Sequence, residues 1–270
     1  MDRRPIGIFD SGIGGLTVLH EIGALLPNED LVYLGDTARV PYGTKSTDTV
    51  IRYSVENTRF LLSRDVKAVV VACNTASAAS VDVLRAEFGV PILGVIEAGM
   101  EEALRVSASK RIGVIGTHAT VQSGKYETLL RHHGAVEVVS VACPLFVPLA
   151  EEGWTENKVA EDVARIYLEP FTDGQVDTLI LGCTHYPLLQ GVIGKVCGPG
   201  VRLVNSANAI AVRLKGQLTA AGIENGPGTG KRRFYFTDSA ERARMVGSRF
   251  LGENLDTQIQ LVDLTEFARH

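Results

Sequence analysis

Leu179-Ile180-Leu181-Gly182-Cys183-Thr184-His185-Tyr186 reads as a buried strand that ends in a glycine and hands over to a cysteine and polar side chains. An unbroken apolar run of this kind suits a parallel strand covered on both faces. The chain holds a second copy of the arrangement, Val69-Val70-Val71-Ala72-Cys73-Asn74-Thr75. In open α/β sheets, ligands bind at the carboxyl ends of the strands. Two thiols therefore stand where chemistry is done, and a pair of them suggests a paired mechanism.

Outward from these two strands, apolar runs alternate with helical periods. Residues 6–9 form an expected strand ending at Asp10, followed by the turn Ser11-Gly12-Ile13-Gly14-Gly15 and a helix with Leu16, Leu19, Ile22 and Leu26 on one face. Further strands are expected at 31–34, 66–72, 91–95, 111–116, 136–141, 177–182, 201–204, 232–236 and 258–262. Residues 35–45 read as a long loop shaped by Pro and Gly, of the kind that carries function on a rigid scaffold. Residues 143–148 are expected to be irregular because of Pro144 and Pro148, with Glu151-Glu152-Gly153-Trp154 closing that loop and a helix starting near 155. This alternation predicts a doubly wound α/β architecture with mostly parallel sheets. Ile6-Gly7-Ile8-Phe9-Asp10-Ser11 also resembles Ile112-Gly113-Val114-Ile115-Gly116-Thr117, and each is followed at a similar separation by a strand ending in cysteine. Two pseudo-symmetric halves, each offering one thiol, place the expected site between them.

Composition narrows the classes. With 270 residues, 45% hydrophobic and 21% charged, the chain is an ordinary globular one, and its net charge of −4 offers no general footprint for nucleic acid. The short basic run Lys231-Arg232-Arg233 reads as a solvated strand start. No apolar run reaches the roughly 18 residues that span a bilayer. The first residues carry no secretory signal. A cytoplasmic location without membrane partners is expected, with Cys73, Cys143, Cys183 and Cys197 as free thiols. None of them has CxxC spacing, so no metal site is expected.

Several chemistries fail on the residues. Thr17 breaks the dinucleotide fingerprint begun by Gly12-x-Gly14, and Arg232 ends the glycine-rich stretch 226–231 where a P-loop needs Ser or Thr. Ala79 and Leu189 stand where a phosphatase cysteine loop needs arginine. A Cys183–His185 hydrolase pair stays open, although a hydrolase needs one nucleophile and here two cysteines share one setting. A free thiol titrates near ~8.5, so it needs a helper at neutral pH. Asp10 and His185 are the candidate helpers, one beside each thiol. Asp10 can equally cap the first helix. Cys143 runs into apolar Pro144-Leu145-Phe146 and reads as packing, Cys197 reads as spare near a helix end, and His118 reads as helix surface.

The stretches Gly7-Ile8-Phe9-Asp10-Ser11-Gly12-Ile13-Gly14-Gly15-Leu16, Tyr33-Leu34-Gly35-Asp36-Thr37-Ala38-Arg39-Val40-Pro41-Tyr42-Gly43, Ala72-Cys73-Asn74-Thr75-Ala76 and Leu181-Gly182-Cys183-Thr184-His185-Tyr186-Pro187 together resemble the glutamate racemases. The likeness covers nearly the whole chain. Aspartate racemases share the paired cysteines but differ in the first glycine turn and have Glu where His185 stands. The resemblance implies interconversion of L- and D-glutamate without a cofactor, supplying D-glutamate for peptidoglycan, by a homodimer. It implies that Cys73 takes the proton from D-glutamate and Cys183 from L-glutamate. Asp10 would assist Cys73, His185 with Glu152 would assist Cys183, and Asp36 would be a further catalytic carboxylate. Ser11, Tyr42, Gly43, Asn74, Thr75, Thr117 and Thr184 map onto substrate-binding positions, with Asp10, Pro41, Cys73 and His185 among them. Hydroxyl and amide donors suit a dicarboxylate, and a desolvated pocket strengthens their pull on developing enolate charge. Two positions depart from the pattern: Asn205 stands for Asp, and Ala142 for Glu. The expected domains are 1–96 with 207–270, and 97–206. The rival readings are an aspartate or hydantoin racemase on the same scaffold, and a non-catalytic amino-acid-binding protein.

Overall fold

The structure, a computed structural model, describes residues 2–172, 174–255 and 259–268. The first part of the chain runs β1 (Ile6–Asp10), α1 (Leu16–Leu25), β2 (Leu31–Gly35), α2 (Thr47–Leu62), β3 (Ala68–Val71), α3 (Asn74–Glu87), β4 (Ile92–Gly94) and α4 (Val95–Val106). The middle runs β5 (Arg111–Gly116), α5 (His118–Gln122), α6 (Lys125–His132), β6 (Glu137–Ala142), α7 (Phe146–Glu152), α8 (Lys158–Leu168), β7 (Thr178–Gly182), α9 (Gln190–Cys197) and β8 (Arg202–Asn205). Then come α10 (Ser206–Ala221), β9 (Arg232–Phe236), α11 (Ala240–Leu251) and β10 (Ile259–Leu261). Gln258, the expected start of the last strand, lies outside the described residues.

The apolar runs sort into two parallel sheets, β10-β9-β2-β1-β3-β4 and β6-β5-β7-β8. Strands β1, β2, β3 and β7 are buried along their whole length, which is why their sequences are apolar without alternation. The internal repeat has a structural counterpart: β1 lies between β2 and β3, and β5 lies between β6 and β7. In the registers, Phe9 faces Val71 and Gly116 faces Gly182. Cys73 after β3 and Cys183 after β7 thus occupy equivalent strand ends. The mixed α/β architecture with parallel sheets is the one the sequence predicts. Helix α10 packs against both α1 and α4. Its Ala207, Ile210 and Leu214 share a core with Leu16, Leu19 and Ile22, where each buried aliphatic side chain contributes about 1.5–3 kcal/mol.

Three local expectations are corrected. Residues 146–152 are helical although Pro148 lies among them: it is the third residue of α7, where backbone N–H groups have no intrahelical acceptor to lose. The helix expected from about 155 begins at Lys158, where Asn157 caps it by accepting from the Ala160 amide at 2.9 Å. The loop 35–45 is two short 3-10 turns, Thr37–Arg39 and Tyr42–Thr44. Asn205 caps α10, its Oδ1 accepting from the Ala207 amide at 2.9 Å, a role Asp fills equally well. Nothing in the structure explains Ala142. No described helix is long and apolar enough to cross a membrane.

Candidate active site

The carboxyl ends of the two sheets face each other across a cleft of about 590 Å³, and both Cys73 and Cys183 line it. On the first side, the chain leaves β1 through the glycine turn. Gly15 is required there, because a Cβ would come within 2.4 Å of the Asp10 Cβ. Asp10 is fully buried behind the turn, and its Oδ2 accepts from the Gly12 amide at 3.0 Å. Its Oδ1 is buried with no partner among the described residues. Burial raises the Asp10 carboxyl, against the pull of His185 and the amides of Gly12, Gly15 and Ser11. Cys73 caps α3: its sulfur accepts from the Ala76 amide at 3.5 Å, and its thiol donates to Ser11 Oγ at 3.6 Å. Burial, and then the charge of Asp10, push this thiol up to about 12, so Cys73 keeps its proton at neutral pH.

On the second side, the Cys183 sulfur lies 3.8 Å from His185 Nδ1, and His185 Nε2 lies 3.0 Å from Glu151 Oε1. Burial disfavours an imidazolium, but the hydrogen bonds to Cys183 and Glu151 outweigh it and raise His185 to about 10. The hydrogen bond from His185 in turn holds the Glu151 carboxyl below its ordinary value.

Neither Glu152 nor Asp36, both expected as catalytic carboxylates, lines the cleft. Glu152 does not reach His185; Glu151 does. Helix α7 presents Val147, Pro148 and Glu151 to the cleft, and the next residue is turned by about 100° into solvent. Asp36 is fully buried and does not line the cleft. It accepts from Arg39 Nε at 2.7 Å, from Thr237 Oγ1 at 3.1 Å and from the Tyr42 hydroxyl, which also accepts from Asn57 Nδ2 at 3.1 Å. Burial raises the Asp36 carboxyl while Arg39 pulls it down. Asp36 therefore holds the Tyr42 loop in place.

Of the expected substrate-binding set, Asp10 stands behind the wall, and Ser11, Pro41, Tyr42, Gly43, Asn74, Thr75, Thr117, Thr184 and His185 line the cleft with the two thiols. Several of them also join the two sheets. Thr75 Oγ1 lies 3.0 Å from Thr117 Oγ1 and 3.2 Å from Thr120 Oγ1. Asn74 Oδ1 accepts from Tyr126 at 2.8 Å, which leaves its buried Nδ2 without a partner among the described residues and able to donate to a ligand. Cys143 and Cys197 are buried outside the cleft. His118, expected as helix surface, is exposed at the cleft rim. Glu151, Val147 and Pro148 of α7 and Arg242 of α11 were not anticipated. A helical reading of 146–152 would have exposed the first three, since 147, 148 and 151 share one helix face. Nothing local marks Arg242.

The close approach of the first turn to the second thiol gives a sharp expectation. A Cβ at Gly14 would lie 2.4 Å from Thr184 Oγ1 and 2.6 Å from His185 Nδ1. Gly14→Ala is expected to cost about 1–3 kcal/mol in urea unfolding through overpacking. It should also slow turnover by more than about tenfold, because the ring must leave Cys183. Wild-type turnover in Gly14→Ala would show that the His185 position is immaterial.

Paired strand-end thiols thus line one cleft between two parallel sheets. A family model described as Asp/Glu/hydantoin racemase matches residues 13–214. A glutamate racemase of Geobacter metallireducens is 51% identical over 97% of this chain and 97% of its own length. The crystal structure of a Bacillus anthracis glutamate racemase superposes with a TM-score of 0.94 at 38% identity, covering 98% of this chain and 99% of that one. A Francisella tularensis glutamate racemase solved in complex with D-glutamate gives 0.91 at 38% identity, covering 98% and 100%. The chain belongs to the Asp/Glu/hydantoin racemase family, on its glutamate racemase branch.

Proposed function

We propose that the protein interconverts L- and D-glutamate by two-base proton transfer between Cys73 and Cys183. The observation that carries this reading is the pair of buried thiols, at equivalent strand ends, lining one cleft. The Cα–H of an amino acid is a very weak acid, and two bases on opposite faces of a planar carbanion can invert it. From L-glutamate, the Cys183 thiolate takes the α-proton: the Cα–H bond breaks and S–H forms. The carbanion then takes the proton of Cys73 on its other face, so that S–H breaks and a new Cα–H forms. From D-glutamate the same steps run backwards. Protonated Cys73 suits the first direction, and the His185 cation beside Cys183 supports negative charge on that sulfur. Asn74, Thr75, Thr117 and Thr184 would hold the carboxylates and the enolate charge as the cleft excludes water. The relatives named glutamate racemase support glutamate as the substrate, and the D-glutamate product suits peptidoglycan synthesis in the cytoplasm. The two sheets support domains of 1–96 with 207–270, and 97–206.

Incubation of the pure protein with each glutamate enantiomer in D₂O, without added pyridoxal phosphate, tests the reading. Both enantiomers are expected to converge on a racemate deuterated at Cα, followed by NMR and optical rotation. No exchange from either enantiomer would sink the proposal, and exchange of aspartate but not glutamate would reassign the substrate.

A further inference from the structure

Helix α11 follows β9 of the six-stranded sheet, yet its side chains bear on the machinery of the four-stranded one. Arg242 Nη2 donates to Glu151 Oε2 at 2.8 Å, while the other oxygen of the same carboxylate meets His185 Nε2 at 3.0 Å. About two turns further on, Arg249 Nη1 donates to the Glu151 carbonyl oxygen at 2.9 Å. The Phe250 ring stands nearly edge-on to the His185 ring, with centroids 5.0 Å apart. Glu151 is thus held at its carboxylate and at its backbone from across the cleft. Arg242 lines the cleft itself, with about half of its side chain exposed. An exposed ion pair contributes little to stability. Its geometry matters more here, because it leaves the Glu151 carboxylate one arrangement, with each oxygen engaged.

We propose that Arg242 is a positioning residue for proton transfer at Cys183: it locks the Glu151 carboxylate so that Glu151 holds the His185 ring against the thiol. The inference rests on the two-thiol racemase reading. Because Arg242 is carried by the six-stranded-sheet side and Glu151 by the other, the relay is complete only when both walls of the cleft are in place. The groups facing His185 are Cys183 on its own loop, Glu151 on α7 and Asp10 at the end of β1, with Arg242 on α11 behind Glu151. Loss of Arg242 removes a hydrogen bond that lowers the Glu151 carboxyl, and it loosens the one through which Glu151 raises His185. The acid limb of activity should therefore move up in pH and the alkaline limb down.

The test compares wild type, Arg242→Gln, Arg242→Lys, Glu151→Gln and the double variant Arg242→Gln/Glu151→Gln, with both glutamate enantiomers across pH. Arg244→Gln, an exposed cation on the same helix, is the control expected to match wild type. Arg242→Gln should lose about 10- to 100-fold in kcat. Its KM should change less than about threefold, since the residue does not bind substrate. Its kcat–pH profile should narrow from both sides. Arg242→Lys should recover most of the rate and the profile, and the double variant should be no slower than Glu151→Gln alone. Unchanged kcat and pH profile in Arg242→Gln would overturn the inference. So would a raised KM with kcat intact, which would make Arg242 a substrate ligand. A double variant slower by the product of the single losses would overturn it too. Failure of the racemase reading itself would show separately, as absence of racemisation by the wild type.

Discussion

Cys73→Ser and Cys183→Ser are each expected to lower glutamate racemisation by about 1,000-fold or more, at the strong end of what a positioned proton carrier contributes. Inversion needs a proton removed on one face and delivered on the other, so neither thiol can stand in for its partner. A serine hydroxyl keeps the shape and loses the acidity. Binding of D-glutamate, followed by calorimetry, should survive in both variants, because the amide and hydroxyl donors of the cleft remain. Cys143→Ser separates this from a general need for thiols. Cys143 is fully buried, with its sulfur 3.7 Å from the Val141 carbonyl oxygen and away from the cleft. Burying a hydroxyl there should cost about 1–3 kcal/mol in unfolding free energy while leaving turnover within a few-fold. An inactive but folded Cys143→Ser beside an active Cys73→Ser would reverse the sorting of the cysteines.

How much of this could be read from the chain depended on the range of the signal. The parallel sheets were legible because strands buried on both faces must be apolar without interruption, and 69–71 and 179–181 are such runs. The cleft was legible because a Cys followed by Asn-Thr or Thr-His at a strand end does not pack like the Cys143-Pro144-Leu145 lead-in. The Glu151 position was hidden by a local rule applied one turn too far. Proline breaks a helix interior, but Pro148 sits in the first turn, where its missing N–H costs nothing. Read as a loop, the segment gave no face, and Glu152 was as good a choice as its neighbour. Asp36 was legible as a strand-end carboxylate, but not as one turned away to bind Arg39, Tyr42 and Thr237, because Thr237 comes from the far end of the sequence. Arg242 was out of reach for the same reason: its partner is 91 positions away on the other wall.

His185→Gln is expected to abolish most activity and to destabilise the protein in a way that fades at high pH. His185 is raised in the fold to about 10 from an ordinary 6.5, so the stability it contributes is fully present below pH 6.5 and is lost as pH rises through about 10. Glu151 is lowered in the fold from its ordinary 4.5, so its share is present above pH 4.5 and is lost as pH falls through the depressed folded value. The pair is therefore at full strength from about pH 4.5 to 6.5, and it weakens steadily above that. Breaking a buried pair by removing one member costs about 3–5 kcal/mol, and the lower end applies here because Arg242 still compensates Glu151. Urea melts of wild type and His185→Gln should differ by about 3 kcal/mol at pH 6, with the difference shrinking toward zero near pH 10. Turnover at pH 8 should fall by about 100-fold or more, because glutamine offers Cys183 no proton to exchange and no cation. The wild-type rate should itself decline as pH approaches 10, as the imidazolium discharges. A stability gap that stays constant from pH 6 to pH 10 would mean that His185 is neutral in the folded protein. The support assigned to the second thiol would then have to come from hydrogen bonding alone.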